Sequence, residues 1–232
     1  MYSIFHTSHC GSTYLATLLS KSIPTLTEPD WSHLINTKKN EIEFVEKNTV
    51  KKELIKYSSV YCYMMPCIKG KKIFIYRKLS KHIPKINNSG YTNIQLNFHL
   101  GAMEKNFNVK TKTINYFNNS YLMHCALWAD RFFWAMESKN TMFIDCEDLF
   151  KNTEYITKQA CEFLNIEYYK IDINFNVKNI GLNRNNNYLN IEKIPALNFK
   201  EKYIEPYVEY DFNSLKYINQ ISKKFPELSM FI

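Results

Sequence analysis

The run Tyr2-Ser3-Ile4-Phe5-His6-Thr7-Ser8-His9-Cys10-Gly11-Ser12-Thr13-Tyr14-Leu15 changes character twice. Tyr2 to His6 is a short β-prone stretch, Thr7 to Ser12 is polar with one glycine, and Thr13 to Lys21 is helical. Leu15, Leu18, Leu19 and Ser22 recur at i, i+3, i+4 and i+7, and Pro24 closes the element. This pattern predicts a strand, a tight loop and a helix from the second residue onward. The first N–H groups of a helix lack internal partners and carry partial positive charge, and Gly11 would let backbone approach an anion closely. The loop Thr7 to Thr13 therefore predicts a phosphate-binding turn. An ordinary βα turn with a serine N-cap accounts for the same residues, so both readings stand at this point.

Outward from that unit the chain alternates. Residues 36 to 57 mix charges with Ile42, Phe44, Val45, Leu54 and Ile55, which predicts one or two solvent-facing helices. Val60 to Met65 and Lys72 to Tyr76 read as two buried parallel strands separated by Pro66 and the basic turn at Gly70. Residues 92 to 138 read as helical, with Ala126 to Met136 a dense aromatic stretch facing inward. Met142 to Cys146 reads as a further strand, and Asn152 as the cap of a helix carrying Ile156, Ala160, Phe163 and Leu164 on one face. The tail is rich in Asn and Tyr until a short helix near 213 to 224. Strands alternating with helices predict an α/β fold in three layers, a central parallel sheet of four to five strands flanked by helices. No repeat or linker divides the 232 residues, so one domain spanning 1 to 232 is expected.

Composition narrows the partners. No run approaches the roughly 20 apolar residues of a membrane helix. The net charge of +8 suits nucleic acid, an anionic surface or an anionic small molecule. The lysines are dispersed and no nucleic-acid-binding signature occurs, which disfavours a nucleic-acid partner. Six cysteines without a CxxC pair, behind a start that resembles no secretory leader, point to a reducing, cytoplasmic setting. Neither GxxxxGK[ST] nor GxGxxG is present, which disfavours a Walker-type nucleotidase.

The segment Ser8-His9-Cys10-Gly11-Ser12-Thr13-Tyr14-Leu15, with Glu28-Pro29 after the helix, resembles the 5′-phosphosulfate loop of the P-loop sulfotransferase family, in its bacterial "CGST" branch. Ile73-Phe74-Ile75-Tyr76-Arg77 resembles that family's strand ending in the arginine that grips the 3′-phosphate of PAPS. Phe143 to Leu149, and then Phe163-Leu164-Asn165, resemble its late strand, "EDL" turn and "FLG" helix end. The resemblance covers residues 2 to 30, 60 to 85 and 141 to 166, in order. It implies a P-loop-type fold, PAPS as cofactor with PAP as product, and no metal. Two positions depart from it: His9 stands where the family has Lys or Arg, and Lys85 where it has a serine, with Ser80 nearer the strand end.

The resemblance implies that backbone N–H groups and side chains of His9, Cys10, Gly11, Ser12, Thr13 and Tyr14 hold the 5′-phosphosulfate. Arg77, Ser80, Lys85 and Arg184 would surround the 3′-phosphate, with Lys178 beside Arg184. Arg77 is read as a strand-end surface residue carrying little of the stability. His9 replaces the catalytic lysine, and Glu28, then His33, are the candidate general bases. His82 lies near Arg77 in sequence, whereas His99 and His124 sit in apolar contexts that suit packing. Trp31, Trp128, Phe132 and Trp134 are expected in the core or against the adenine. The acceptor is expected to be a small molecule or glycan, and the protein a monomer or homodimer. Two other classes remain at this stage: an ATP-dependent phosphotransferase with Asp145 and Glu147 or Asp148 as metal ligands, and a non-catalytic nucleotide- or nucleic-acid-binding protein.

Overall fold

The computed structural model describes residues 1–27, 53–82, 120–170 and 212–232. Strand β1 (Tyr2–His6) passes through the polar loop into α1 (Ser12–Leu19). Then come β2 (Thr25–Thr27), β3 (Leu54–Lys56), a 3₁₀ segment (Ser59–Met64) and β4 (Lys71–Tyr76). The long α2 (Ser120–Glu137) leads to β5 (Thr141–Asp145), α3 (Cys146–Lys151) and α4 (Thr153–Leu164). Helix α5 (Phe212–Lys224) and a 3₁₀ segment (Pro226–Phe231) follow.

The five strands form one parallel sheet in the order β2-β3-β1-β4-β5. β1 is central, pairing Tyr2 with Leu54 on one side and with Lys71 on the other. Side-chain alternation divides the core into two layers, as a sheet buried on both faces requires. Ile4, Ile73, Ile75 and Ile144 pack with Leu15, Leu18 and Leu19 of α1 and with Ala160, Cys161 and Leu164 of α4. Phe5, Ile55 and Phe74 point the other way, onto Trp128, Phe132 and Ala135 of α2 and Ile221 of α5. Phe74 meets Phe132 edge-on at 5.0 Å and Phe143 at 5.6 Å. This is the three-layer α/β architecture expected from the alternation of elements, with five strands.

Two expectations are corrected. Val60 to Met65 is not a strand: Ser59–Met64 winds as a 3₁₀ segment whose Cys62 and Met64 are buried against α2 and the sheet. A short apolar run has no period that tells a strand from a buried turn. The expected helix over 36 to 57 ends in a strand instead, because Leu54, Ile55 and Lys56 are buried and paired with β1 and β2; residues 28 to 52 lie outside the described residues. Asn152 is the N-cap residue of α4 as expected, with its carbonyl accepting from Ile156 N–H at 3.0 Å and its side chain making no capping bond.

From β1 the chain crosses through α1 toward β2 and β3, whereas from β4 it runs to β5 on the opposite side. The carboxyl ends of β1 and β4 thus flank a topological switch point, where open α/β sheets hold their ligands. Among the described residues no helix is long and apolar enough to cross a membrane. All six cysteines are free thiols.

Candidate functional site

Beyond His6 the chain cannot continue as a strand, because Ser8 and His9 both take left-handed backbone conformations (φ 73° and 47°) and Gly11 follows at φ 78°. Turn conformations of successive residues are the backbone setting in which anion-binding concavities form. Gly11 is the N-cap of α1, and no side chain caps that helix. A β-carbon at Gly11 would lie 2.7 Å from Cζ of Phe150. The glycine is therefore required by its left-handed φ and by Phe150 packing against it, not only by close approach to an anion.

The loop is held from four sides. Ser8 N–H donates to Nδ1 of His6 at 3.0 Å, and the Ser8 hydroxyl donates to Oγ of Ser59 at 2.7 Å. The main-chain N–H of Arg77 donates to Oγ1 of Thr7 at 3.2 Å, and Arg77 Nε donates to the His9 carbonyl at 3.2 Å. Arg131 of α2 donates through Nη1 to the Thr7 carbonyl at 2.9 Å and to the Ser8 hydroxyl at 3.2 Å. Both guanidinium groups are buried, each residue 5% exposed. Arg77 is thus not the surface residue expected; its fork is already spent in part on the loop.

Three imidazoles gather around these cations. Burial, followed by the charges of Lys56 and Arg131, holds His6 well below the usual histidine range. Burial and Arg131 push His124 down to about 4. His82 is 0% exposed, and neither ring nitrogen has a hydrogen-bond partner among the described residues. Its pKa falls well below the ordinary value through burial first and then through Arg131, His9, Arg77 and His124. A buried polar group without a partner among the described residues is uncommon.

Of the residues singled out from sequence, the structure brings His9, Gly11, Ser12, Thr13 and Arg77 together at the β1/β4 crevice. His9 is exposed and Ser12 is buried at the first turn of α1. Cys10 and Tyr14 send their side chains away: the Cys10 thiol donates to the Ile75 carbonyl at 3.2 Å, and Tyr14 packs against Phe150 and approaches Thr153 Oγ1 at 3.4 Å. Only their backbone is left for a ligand. Ser80 follows the crevice, but its hydroxyl and N–H both donate to a main-chain oxygen of Ile232, at 2.7 and 3.2 Å. Trp128 and Phe132 are core residues, with Trp128 Nε1 donating to the Arg77 carbonyl at 2.9 Å. Trp134 is half-buried. Glu28, Trp31, His33, Lys85, His99, Lys178 and Arg184 lie outside the described residues.

Sequence reasoning missed Arg131, Lys56 and Ser59. Arg131 had a signal: a lone arginine inside Ala126 to Met136 must find polar partners or forfeit its burial. Lys56, 3% exposed at the carboxyl end of β3, had none once that segment was read as helix. The acidic pair expected to bind metal in a phosphotransferase is engaged elsewhere. Asp145 caps α3 by accepting from Glu147 N–H at 3.0 Å, and Glu147 accepts from Lys81 Nζ at 2.7 Å.

No family model and no curated relative matches the chain. Solved structures do. The sulfotransferase domain from the curacin biosynthetic pathway aligns over 96% of this chain and 97% of its own, at TM-score 0.53 and 15% identity. A sulfotransferase from Alicyclobacillus acidocaldarius aligns over 73% and 82%, at TM-score 0.46 and 10% identity. A mouse sulfotransferase complexed with PAP aligns over 98% and 82%, at TM-score 0.45 and 17% identity. On the end-to-end match to the curacin domain, the chain has the sulfotransferase fold.

Proposed function

We propose that the protein is a sulfotransferase that moves a sulfuryl group from PAPS to a hydroxyl or amine of a small-molecule or glycan acceptor. The observation that carries this reading is the convergence, at the carboxyl ends of β1 and β4, of a left-handed loop, an uncapped helix N-terminus and two buried arginines. A phosphate-bearing nucleotide fits that donor set.

When bound, PAPS supplies the activated sulfuryl group and leaves as the bisphosphate. The chain's part is to hold and to stabilise charge. Backbone N–H groups of residues 10 to 13 and the hydroxyls of Ser12 and Thr13 hold the 5′ end. His9 donates to it from the exposed side of the loop. Arg77 serves the 3′ end, with Ser80 after exchanging its contact to Ile232, and with Lys85 and Arg184. Glu28 or His33 takes the acceptor's proton.

Calorimetry tests this with three ligands: adenosine 3′,5′-bisphosphate, ATP with Mg²⁺, and single-stranded DNA. Binding of the bisphosphate in preference to the other two is expected. ATP binding without bisphosphate binding would make the protein a phosphotransferase, and tight DNA binding a nucleic-acid module.

A further inference from the structure

The register between β1 and β4 ends at His6 and Ile75. One last backbone bond, Thr7 N–H to the Ile75 carbonyl at 3.2 Å, follows before the two chains separate toward the loop and toward the helical residues 79–82. Past that point the carbonyls of Thr7 and Arg77 are outside the ladder and buried, and a buried carbonyl needs a donor. Both donors come from one helix, one turn apart. Trp128 Nε1 reaches the Arg77 carbonyl at 2.9 Å, and Arg131 Nη1 reaches the Thr7 carbonyl at the same distance. At i and i+3 the two side chains share a face of α2, so their separation is fixed by the helix itself.

We propose that Trp128 and Arg131 are positioning residues, a bracket on α2 that sets the distance between the phosphate loop and the Arg77 strand end. The proposal rests on the reading of that crevice as a bisphosphate site: one end of the ligand lies on the loop, the other at Arg77, and the bracket sets the span. Arg131 also fixes the Ser8 hydroxyl, itself bonded to Ser59, so the left-handed Ser8-His9 pair is tied to α2 as well as to His6 and Arg77 at the strand ends. Trp128 is fully buried and packs against Phe132 with ring centroids 4.2 Å apart and planes tilted by 41°, which anchors the bracket in the core beneath β4.

A span predicts a selective defect. A ligand that touches both ends should lose more than a ligand that touches one. Affinities of adenosine 3′,5′-bisphosphate, adenosine 5′-monophosphate and adenosine 3′-monophosphate are measured for the unaltered chain, Arg131→Met, Arg131→Lys and Trp128→Phe, with melting temperatures alongside. Arg131→Met and Trp128→Phe are expected to weaken the bisphosphate about tenfold or more, a loss on the scale of one hydrogen bond to a buried or charged group. The monophosphates should change by less than about threefold, and Arg131→Lys, which keeps one donor, should fall between. Equal losses on all three ligands, or unchanged bisphosphate affinity in folded variants, would overturn the bracket.

Amide hydrogen exchange reads the bracket without any ligand. In Arg131→Met, residues 7 to 12 should exchange faster while β1 and β4 keep their protection; unchanged exchange in the loop would overturn the proposal by itself. If the unaltered chain binds no bisphosphate, the sulfotransferase reading fails, and the exchange result still decides whether α2 holds the loop. Trp128→Phe keeps most of the ring packing, so the selective effect stays measurable even if Arg131→Met fails to fold.

Discussion

Ser8 gives its main-chain N–H to Nδ1 of His6 at 3.0 Å, so the loop after β1 leans on a lone pair that exists only while His6 is not protonated there. His6, His82 and His124 all have folded pKa values below the ordinary 6.5, through burial first and Arg131 among the charges. The unfolded chain therefore takes up protons before the folded one as pH falls. Stability should be flat above about pH 6.5 and decline below it, by up to about 1.4 kcal/mol per pH unit for each histidine. Asp145, raised by burial, works in the opposite direction nearer pH 4, so the comparison belongs between about pH 7.5 and 5.5. Urea unfolding at those two values checks it, and His124→Gln should flatten the slope. Equal midpoints at both would contradict the neutral, buried histidines.

Gly11→Ala forces a side chain onto a residue at φ 78° and toward Phe150. The backbone part costs about 1–2 kcal/mol and the contact adds to it. Gly11→Ala with Phe150→Leu should recover the second part but not the first, measured as a double-mutant cycle of unfolding free energies. Full recovery would mean that the left-handed conformation is not maintained.

Arg77→Ala should lower stability and bisphosphate affinity together, because the side chain is buried and bonded to the His9 carbonyl. A loss of about 2–3 kcal/mol is expected from leaving that carbonyl without its charged donor. Arg77→Lys should restore part of the stability, with less gain in affinity, since a single ammonium cannot reproduce the fork. Thermal unfolding and calorimetry on the same samples separate the two.

Cys67 is exposed, whereas Cys10, Cys62, Cys125, Cys146 and Cys161 are buried. Burial pushes the Cys62 thiol up to about 12 and raises the Cys10 thiol as well, so neither is a ready nucleophile. A thiol reagent followed by mass spectrometry should label Cys67 quickly in the native protein, and Cys67→Ser should abolish the fast phase. Rapid labelling of Cys10 would show the loop open to solvent, contrary to its bond with the Ile75 carbonyl.

The βα unit at Tyr2 to Leu19, the strand before Arg77, the strand ending at Asp145 and the helix Thr153–Leu164 were legible in the sequence, whereas the short helix Cys146–Lys151 between the last two was not. Each legible element pairs a clear hydrophobic period with a turn or cap signal. β2 and β3 were not, because strands of three residues are too short to show a period, and Leu54-Ile55-Lys56 sits inside a charged stretch. The loop's position was legible but not its support. Ser59, Arg77 and Arg131 reach it from elements distant in sequence, and spacing along the chain carries no record of such contacts. The same limit explains Cys10 and Tyr14. A motif places them in the loop, but only the packing of Ile75, Phe150 and Thr153 decides that their side chains face the core.

The most direct measurement is a crystal structure grown with adenosine 3′,5′-bisphosphate. The account predicts 5′-phosphate oxygens about 3 Å from backbone nitrogens of residues 10 to 13, with the 3′-phosphate beside Arg77. A bisphosphate bound elsewhere on the sheet, or bound with its 5′-phosphate away from the Gly11 turn, would contradict it.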